Sequence, residues 1–87
     1  MYIINVIAMK KVRIYSQPTC PDCNNVKAYL DRKGVPYEDI NVQKDRKAME
    51  EMVRKYGIRV TPVIVIGDRV MVGFNAPKLN KLLGAED

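Results

Sequence analysis

The sequence predicts one α/β domain in which a mixed four-stranded sheet lies between helices on both faces. The chain has 87 residues, which is enough for one domain. Short β-branched segments alternate with amphipathic segments of helical period, in the order β-α-β-α-β-β-α. The first two strands are joined through a helix and should therefore run parallel, with a right-handed crossover. The last two strands are separated only by Gly67-Asp68, which is typical of a hairpin.

The first strand and the first helix are predicted from alternation and from end signals. Lys11–Tyr15 alternates polar and apolar residues and includes the β-branched types that strands favour. A helix is predicted over Pro21–Lys33, because proline suits a first helical turn and Gly34 suits the position just after a helix. The loop between these segments leads directly into the helix.

The second strand and the second helix follow the same logic. Tyr37–Val42 is a weaker strand, and Asp45–Tyr56 is a helix that ends before Gly57. The apolar residues of this helix recur at intervals of three or four and should face the core. They are Ala48, Met49, Met52, Val53 and Tyr56.

The last third of the chain predicts a hairpin and a final helix. Val60–Ile66 is a β-branched run with Pro62 near its start, and Arg69–Val72 returns as the fourth strand. Asn75 can cap a last helix that runs through Leu83. The three leucines of that helix are expected to face inward, and a tail follows.

A single domain is predicted over residues 1–87, and its first nine residues are an N-terminal extension whose structure the sequence does not decide. Met1–Ala8 is mostly apolar, but it lacks a preceding basic region and is too short to cross a bilayer. We therefore expect a cytoplasmic protein without a membrane span. The extension could be an extra strand or a disordered arm, or translation could begin at Met9.

The composition limits the classes of function. Lys and Arg outnumber Asp and Glu by 15 to 10, for a net charge of +5, and the basic residues are scattered. A solvated surface explains this, with a mild preference for acidic partners as the alternative. The chain contains no histidine, which excludes imidazole bases and His-containing metal sites within one chain. The tyrosines suit packing and form no stacking platform for nucleic acid.

The motif Cys20-Pro21-Asp22-Cys23 carries the predicted chemistry. Cys20 lies at the start of a helix, where free N–H groups and the helix dipole favour a thiolate. Its pKa should therefore lie below the value of about 8.5 for a free cysteine, although the carboxylate of Asp22 opposes this. Cys23 lies one turn further along on the same side, within reach of Cys20, as thiol–disulfide exchange requires.

Other interpretations of the cysteine pair remain open. Both side chains could simply belong to the core. Two thiolates could also bind Zn²⁺ or Cu(I), although a closed zinc site needs four ligands and this chain has two cysteines. An iron–sulfur cluster bridged between two chains is a further alternative. A different functional class is also possible, namely an adaptor that binds acidic proteins or nucleic acid.

Three further segments, taken with the order of elements, resemble a known family. The segment Ile14–Cys23, the triplet Val60-Thr61-Pro62 and the pair Gly73-Phe74 together resemble a glutaredoxin. The likeness covers about residues 10–84 and is greatest to the NrdH-type redoxins associated with ribonucleotide reductase. It implies a thioredoxin/glutaredoxin-like fold and a dithiol oxidoreductase that reduces protein disulfides.

The resemblance also implies roles for individual residues. Cys20 would be the attacking thiol and Cys23 the resolving thiol, with Pro62 in a cis peptide bond next to the sulfurs. The backbone of Thr61 would pair with an extended segment of the partner, and Gly73 would allow a close approach. The implied substrate-binding positions are Pro21, Thr61, Pro62, Gly73 and Phe74.

Departures from the pattern bear on the electron donor. Glutaredoxins that use glutathione commonly carry a lysine where this chain has Gln17. They also commonly carry an acidic residue after the fourth strand, where this chain has Asn75. Gly73-Phe74 resembles the Ser-Gly-Phe of NrdH-type redoxins, and Asp22 replaces a common tyrosine. We therefore expect thioredoxin reductase, in preference to glutathione, as the donor. No bound organic cofactor and a monomeric state are expected.

Overall fold

The computed structural model describes residues 11–84, which form four strands and three helices. The predicted order β-α-β-α-β-β-α is confirmed. The predictions for residues 1–9 and for the tail after Gly84 lie outside the described residues. The elements are β1 (Val12–Ser16), α1 (Pro21–Lys33), β2 (Glu38–Asn41), α2 (Arg46–Tyr56), β3 (Val63–Ile66), β4 (Arg69–Val72) and α3 (Ala76–Leu82).

The sheet has the strand order β2-β1-β3-β4. β1 and β2 are parallel, as predicted, and β3 and β4 form the predicted antiparallel hairpin. β3 also pairs antiparallel with β1, with Tyr15 opposite Val63. The C-terminal ends of β1 and β2 and the beginning of β3 therefore lie at the same edge of the sheet. The loop that precedes α1 leaves β1 at this edge.

Helices cover both faces of the sheet, as predicted. On one face, the buried side chains of β1 and β3 pack against α1 and α3 in a cluster that contains Ile14, Ile64, Leu30 and Leu79. On the other face, Tyr15 packs against α2 in a second cluster. Between residues 11 and 84 no helix is long and apolar enough to cross a membrane.

Side-chain caps explain where α2 and α3 begin. The Oδ1 atom of Asp45 accepts a hydrogen bond from the Ala48 N–H at 3.0 Å, and Asn75 accepts one from the Lys78 N–H at 3.0 Å. Each bond satisfies one of the N–H groups that a first helical turn leaves unpaired. Asn75 thus has the capping role that the sequence predicted.

The predicted start of the third strand is wrong by three residues. The ladder begins at Val63, which pairs with both Tyr15 and Val72, and Val60 lies before it. Pro62 has no N–H to donate to a ladder, and the preceding residues form a bend. The β-branched composition of the segment therefore overstated the length of the strand.

A polar network joins β1 to α2 on the second face. The Tyr15 hydroxyl donates to Glu51 Oε1 at 2.7 Å, and Arg13 Nη2 donates to that hydroxyl at 2.9 Å and to the carboxylate at 3.2 Å. The hydrogen bond from Tyr15 lowers the pKa of Glu51; burial opposes this effect, and the charge of Arg13 adds to it. Burial, followed by the bond to Glu51, raises the pKa of Tyr15.

Candidate active site

The two cysteines lie at the beginning of α1 and are joined as a disulfide. Cys20 is the N-cap residue, and its Cα lies 5.2 Å from that of Cys23. Pro21 is the first residue of the helix and is exposed. The Cys20 side chain is partly exposed, whereas Cys23 is 0% exposed. One sulfur is therefore accessible to a partner, and the other lies behind it.

The backbone of the first turn is directed at the Cys20 sulfur. The Cys23 N–H donates to Cys20 Sγ at 3.2 Å, and the Asn24 N–H donates to the Cys20 carbonyl at 3.3 Å. The Cys20 N–H donates to the Gln17 carbonyl at 3.3 Å, which closes the loop before the helix. A helix start with an N–H directed at sulfur favours the thiolate over the thiol once the disulfide is reduced.

The segment before β3 lies at the same edge of the sheet as this loop. The Thr61–Pro62 peptide bond is cis, as the resemblance implied. Pro62 is buried and Thr61 is partly exposed. The Pro62 carbonyl accepts a hydrogen bond from the Gly73 N–H at 2.9 Å, which joins the start of β3 to the end of β4.

Gly73 and Phe74 follow β4 at this edge. Gly73 has φ +78°, a conformation that requires glycine, and a Cβ there would meet nothing within 4 Å. The Phe74 ring packs edge to face against Tyr29 of α1, with centroids 5.7 Å apart. The structure thus shows a packing role for Phe74, and its contact with substrate stays a prediction.

A polar network beside α1 was not predicted from the sequence. The buried Ser16 hydroxyl donates to Asp39 Oδ1 at 2.6 Å, and Lys27 Nζ donates to Asp39 Oδ2 at 3.0 Å. The Lys27 side chain, which reaches this carboxylate from α1, is only 23% exposed.

The carboxylate of Asp39 is stabilised by both partners. Burial acts to raise the pKa of Asp39, but the hydrogen bonds from Ser16 and Lys27 outweigh it and hold that pKa below the usual range. The network is therefore charged at neutral pH, with an ammonium and a carboxylate in contact next to the end of β1.

The cysteine pair supplies two sulfur donors. Within residues 11–84 no group of three or more His, Cys, Asp or Glu side chains is arranged to hold a metal ion. A closed zinc site that included Cys20 and Cys23 would therefore need further ligands from outside this part of the chain.

Comparison with known proteins decides the family. The glutaredoxin family model matches residues 12–71, which include both cysteines and the Thr61–Pro62 bond. The chain belongs to the glutaredoxin family. An uncharacterised glutaredoxin-like protein of Clostridium pasteurianum, from a rubredoxin operon, is 42% identical over 83% of this chain and 96% of its own length.

Solved structures of the same fold support the assignment to the glutaredoxin family. A variant of a thioredoxin-like protein superposes with a TM-score of 0.83 and 41% identity, over 90% of this chain and all of the other. The glutaredoxin-like NrdH-redoxin of Escherichia coli, described as having a thioredoxin-like activity profile, has a TM-score of 0.74 and 32% identity. That match covers 83% of this chain and 93% of the E. coli protein.

Proposed function

We propose that this glutaredoxin-family protein is a dithiol oxidoreductase that reduces disulfides in other proteins, with Cys20 as nucleophile and Cys23 as resolving thiol. The observation that carries the proposal is the asymmetry of the pair. Cys20 is partly exposed at a helix start and accepts a backbone N–H, whereas Cys23 is buried behind it within bonding distance. Attack by the accessible thiolate and resolution by the buried thiol follow from this arrangement.

The reaction proceeds in two exchanges. The Cys20 thiolate attacks one sulfur of the substrate disulfide, which forms a mixed disulfide and releases the other substrate sulfur as a thiolate. Cys23 then loses its proton to solvent and attacks Cys20, which closes the Cys20–Cys23 disulfide and releases the second substrate thiolate. The substrate gains two electrons, and a donor must return two electrons to the pair.

Protein substrates suit the surface beside the cysteines. The partly exposed Thr61 precedes the cis proline at the edge where Cys20 lies, and an extended segment could pair with its backbone. Val60 and Val72, which flank the start of β3, are 58% and 48% exposed. We propose that these two side chains contact the partner.

We propose thioredoxin reductase as the electron donor and the cytosol, where thiols are kept reduced, as the compartment. A site for glutathione needs a cation for its carboxylates and an acid for its amine. Gln17 supplies no cation, and the Asn75 side chain accepts the Lys78 N–H as a helix cap. The thioredoxin-like activity profile described for the E. coli relative is consistent with this donor.

The donor is tested by NADPH-coupled reduction of insulin disulfides. One reaction contains thioredoxin reductase, and the other contains glutathione with glutathione reductase. Turnover that depends on thioredoxin reductase, and is absent from the Cys20→Ser variant, is expected. Turnover with glutathione alone would refute the donor but leave the dithiol chemistry in place. No turnover with either donor, in fully reduced protein, would refute the proposed oxidoreductase.

A further inference from the structure

The network of Ser16, Asp39 and Lys27 joins the end of β1 to α1, the helix that begins at the cysteine motif. Ser16 is the last residue of β1, and its 2.6 Å bond to Asp39 places that carboxylate next to the end of the strand. Lys27 reaches the same carboxylate from α1. Because α1 begins at the edge where β1 ends, this end of the network lies beside the first turn of the helix, which contains Cys23.

Lys27 follows Cys23 by one turn of α1. Residues four apart on a helix are neighbours, with Cβ atoms about 5–6 Å apart. Long helical side chains also point back over the turn that precedes them. The bond to Asp39 fixes the position of the Lys27 ammonium, and the Lys27 side chain is 23% exposed, so water screens its charge only in part.

We propose that Lys27 is a positioning residue for the resolving thiol: its ammonium stabilises the Cys23 thiolate, and Asp39 sets the strength of that effect. The proposal rests on the proposed function, in which Cys23 must lose a proton before it attacks Cys20. The proton passes to solvent, and the electron pair left on sulfur forms the new disulfide bond. Lys27 takes part in neither transfer and changes only the stability of the thiolate.

Other charged groups lie in the first turn of α1 itself and on two elements that contact this helix, β2 and α3. Asp22 lies in the first turn of α1 and is exposed, and Asp39 is the carboxylate that faces α1 from β2. α3 contributes Lys78 in its own first turn, which is exposed. Asp39 contacts Lys27 directly, so these two residues form the pair to alter.

The test removes each charge of the Lys27–Asp39 ion pair in turn and measures the pKa of Cys23. In a Cys20→Ser background Cys23 is the only thiol of the chain, and thiolate absorbance near 240 nm gives its pKa directly. Lys27→Met leaves the Asp39 carboxylate without its cation and should raise the pKa of Cys23. Asp39→Asn leaves the Lys27 ammonium without its carboxylate and should lower the pKa of Cys23. A shift of about half a unit or more is expected in each direction, allowing for partial exposure.

Two controls separate charge from structure. The double variant Lys27→Met/Asp39→Asn removes both charges and should return the pKa toward that of the parent. Glu51→Gln breaks an ion pair of similar length, 3.2 Å, on the other face of the sheet and should leave the pKa of Cys23 unchanged. Circular dichroism confirms that each variant is folded before it is titrated.

The outcomes are distinct. Opposite shifts in the two single variants support the proposal. Shifts in the same direction would show that the ion pair acts only by holding α1 in place, and the absence of any shift would show that the ammonium does not act on Cys23; either result overturns the proposal. The thiol titration needs no substrate or donor. The titration of Cys23 could therefore still be interpreted if the oxidoreductase assay failed.

Discussion

Replacing Tyr15 with phenylalanine removes one hydroxyl and leaves the ring packed edge to face against Tyr56. The lost hydroxyl donates to Glu51 at 2.7 Å and accepts from Arg13 at 2.9 Å. A hydrogen bond to a charged group contributes about 1.5–3 kcal/mol. Glu51 is 38% exposed and keeps Arg13 as a partner, so water and the guanidinium compensate in part. We expect Tyr15→Phe to lower the free energy of unfolding by about 1 kcal/mol at neutral pH.

The pH dependence of this difference follows from Glu51. The Tyr15 hydrogen bond is the largest cause of its lowered pKa in the folded protein. The stability that this carboxylate contributes is therefore present above the usual glutamate pKa, and it is lost as the pH falls through the lowered folded value. Wild type and Tyr15→Phe should thus differ most near neutral pH and converge in acid.

Urea unfolding followed by far-UV circular dichroism measures the difference, at about pH 7 and again at about pH 3. The expected result is a gap of about 1 kcal/mol that shrinks on acidification. A gap of the same size at both pH values would refute the assignment of the effect to the Glu51 carboxylate.

Three further substitutions test backbone features of the fold. Gly73→Ala and Gly67→Ala both place a side chain at positive φ, +78° and +60°, and each should lower the free energy of unfolding by about 1 kcal/mol in thermal denaturation. Only Gly73→Ala should also reduce disulfide turnover, and equal turnover in the two variants would argue against a role for Gly73 at the substrate surface. Asp45→Ala removes the cap of α2 and should lower the free energy of unfolding by about 1 kcal/mol; unchanged stability would show that water replaces the cap.

The elements that the sequence predicted best have local signals at both ends. α1 spans Pro21–Lys33 as predicted, because proline at its first position and Gly34 after its end act through the backbone nearby. β4 also has its predicted bounds, set by the turn before it and the glycine after it. Such signals depend on neighbouring residues alone, so a sequence displays them without knowledge of the fold.

Features that depend on distant contacts were missed or misplaced. Nothing local indicates that β3 pairs with β1, since this neighbour relation arises only when the sheet assembles. The contact between Asp39 and Ser16 depends on the parallel register of β1 and β2. In this register Asp39 lies opposite Ile14, two residues before Ser16. Helical periodicity cannot anticipate the contact of Lys27 with Asp39, because the carboxylate comes from another strand.

The candidate site divides in the same way. The cysteine pair could be predicted from its spacing and from the strand that precedes it, because both sulfurs belong to one helical turn. The cis Thr61–Pro62 bond was implied by the resemblance to glutaredoxins and is confirmed. Phe74 was expected at the substrate surface, whereas its packing against Tyr29 depends on how α1 and the loop before α3 meet.

The central claim, that Cys20 attacks and Cys23 resolves, is tested most directly by trapping the mixed disulfide. Reduced Cys23→Ser and Cys20→Ser proteins are each mixed with insulin, and the products are separated on non-reducing gels and mapped by mass spectrometry. Cys23→Ser should accumulate an adduct through Cys20, because no thiol remains to resolve it, and Cys20→Ser should form little or none. An adduct that forms mainly through Cys23 in the Cys20→Ser protein would contradict the assigned roles.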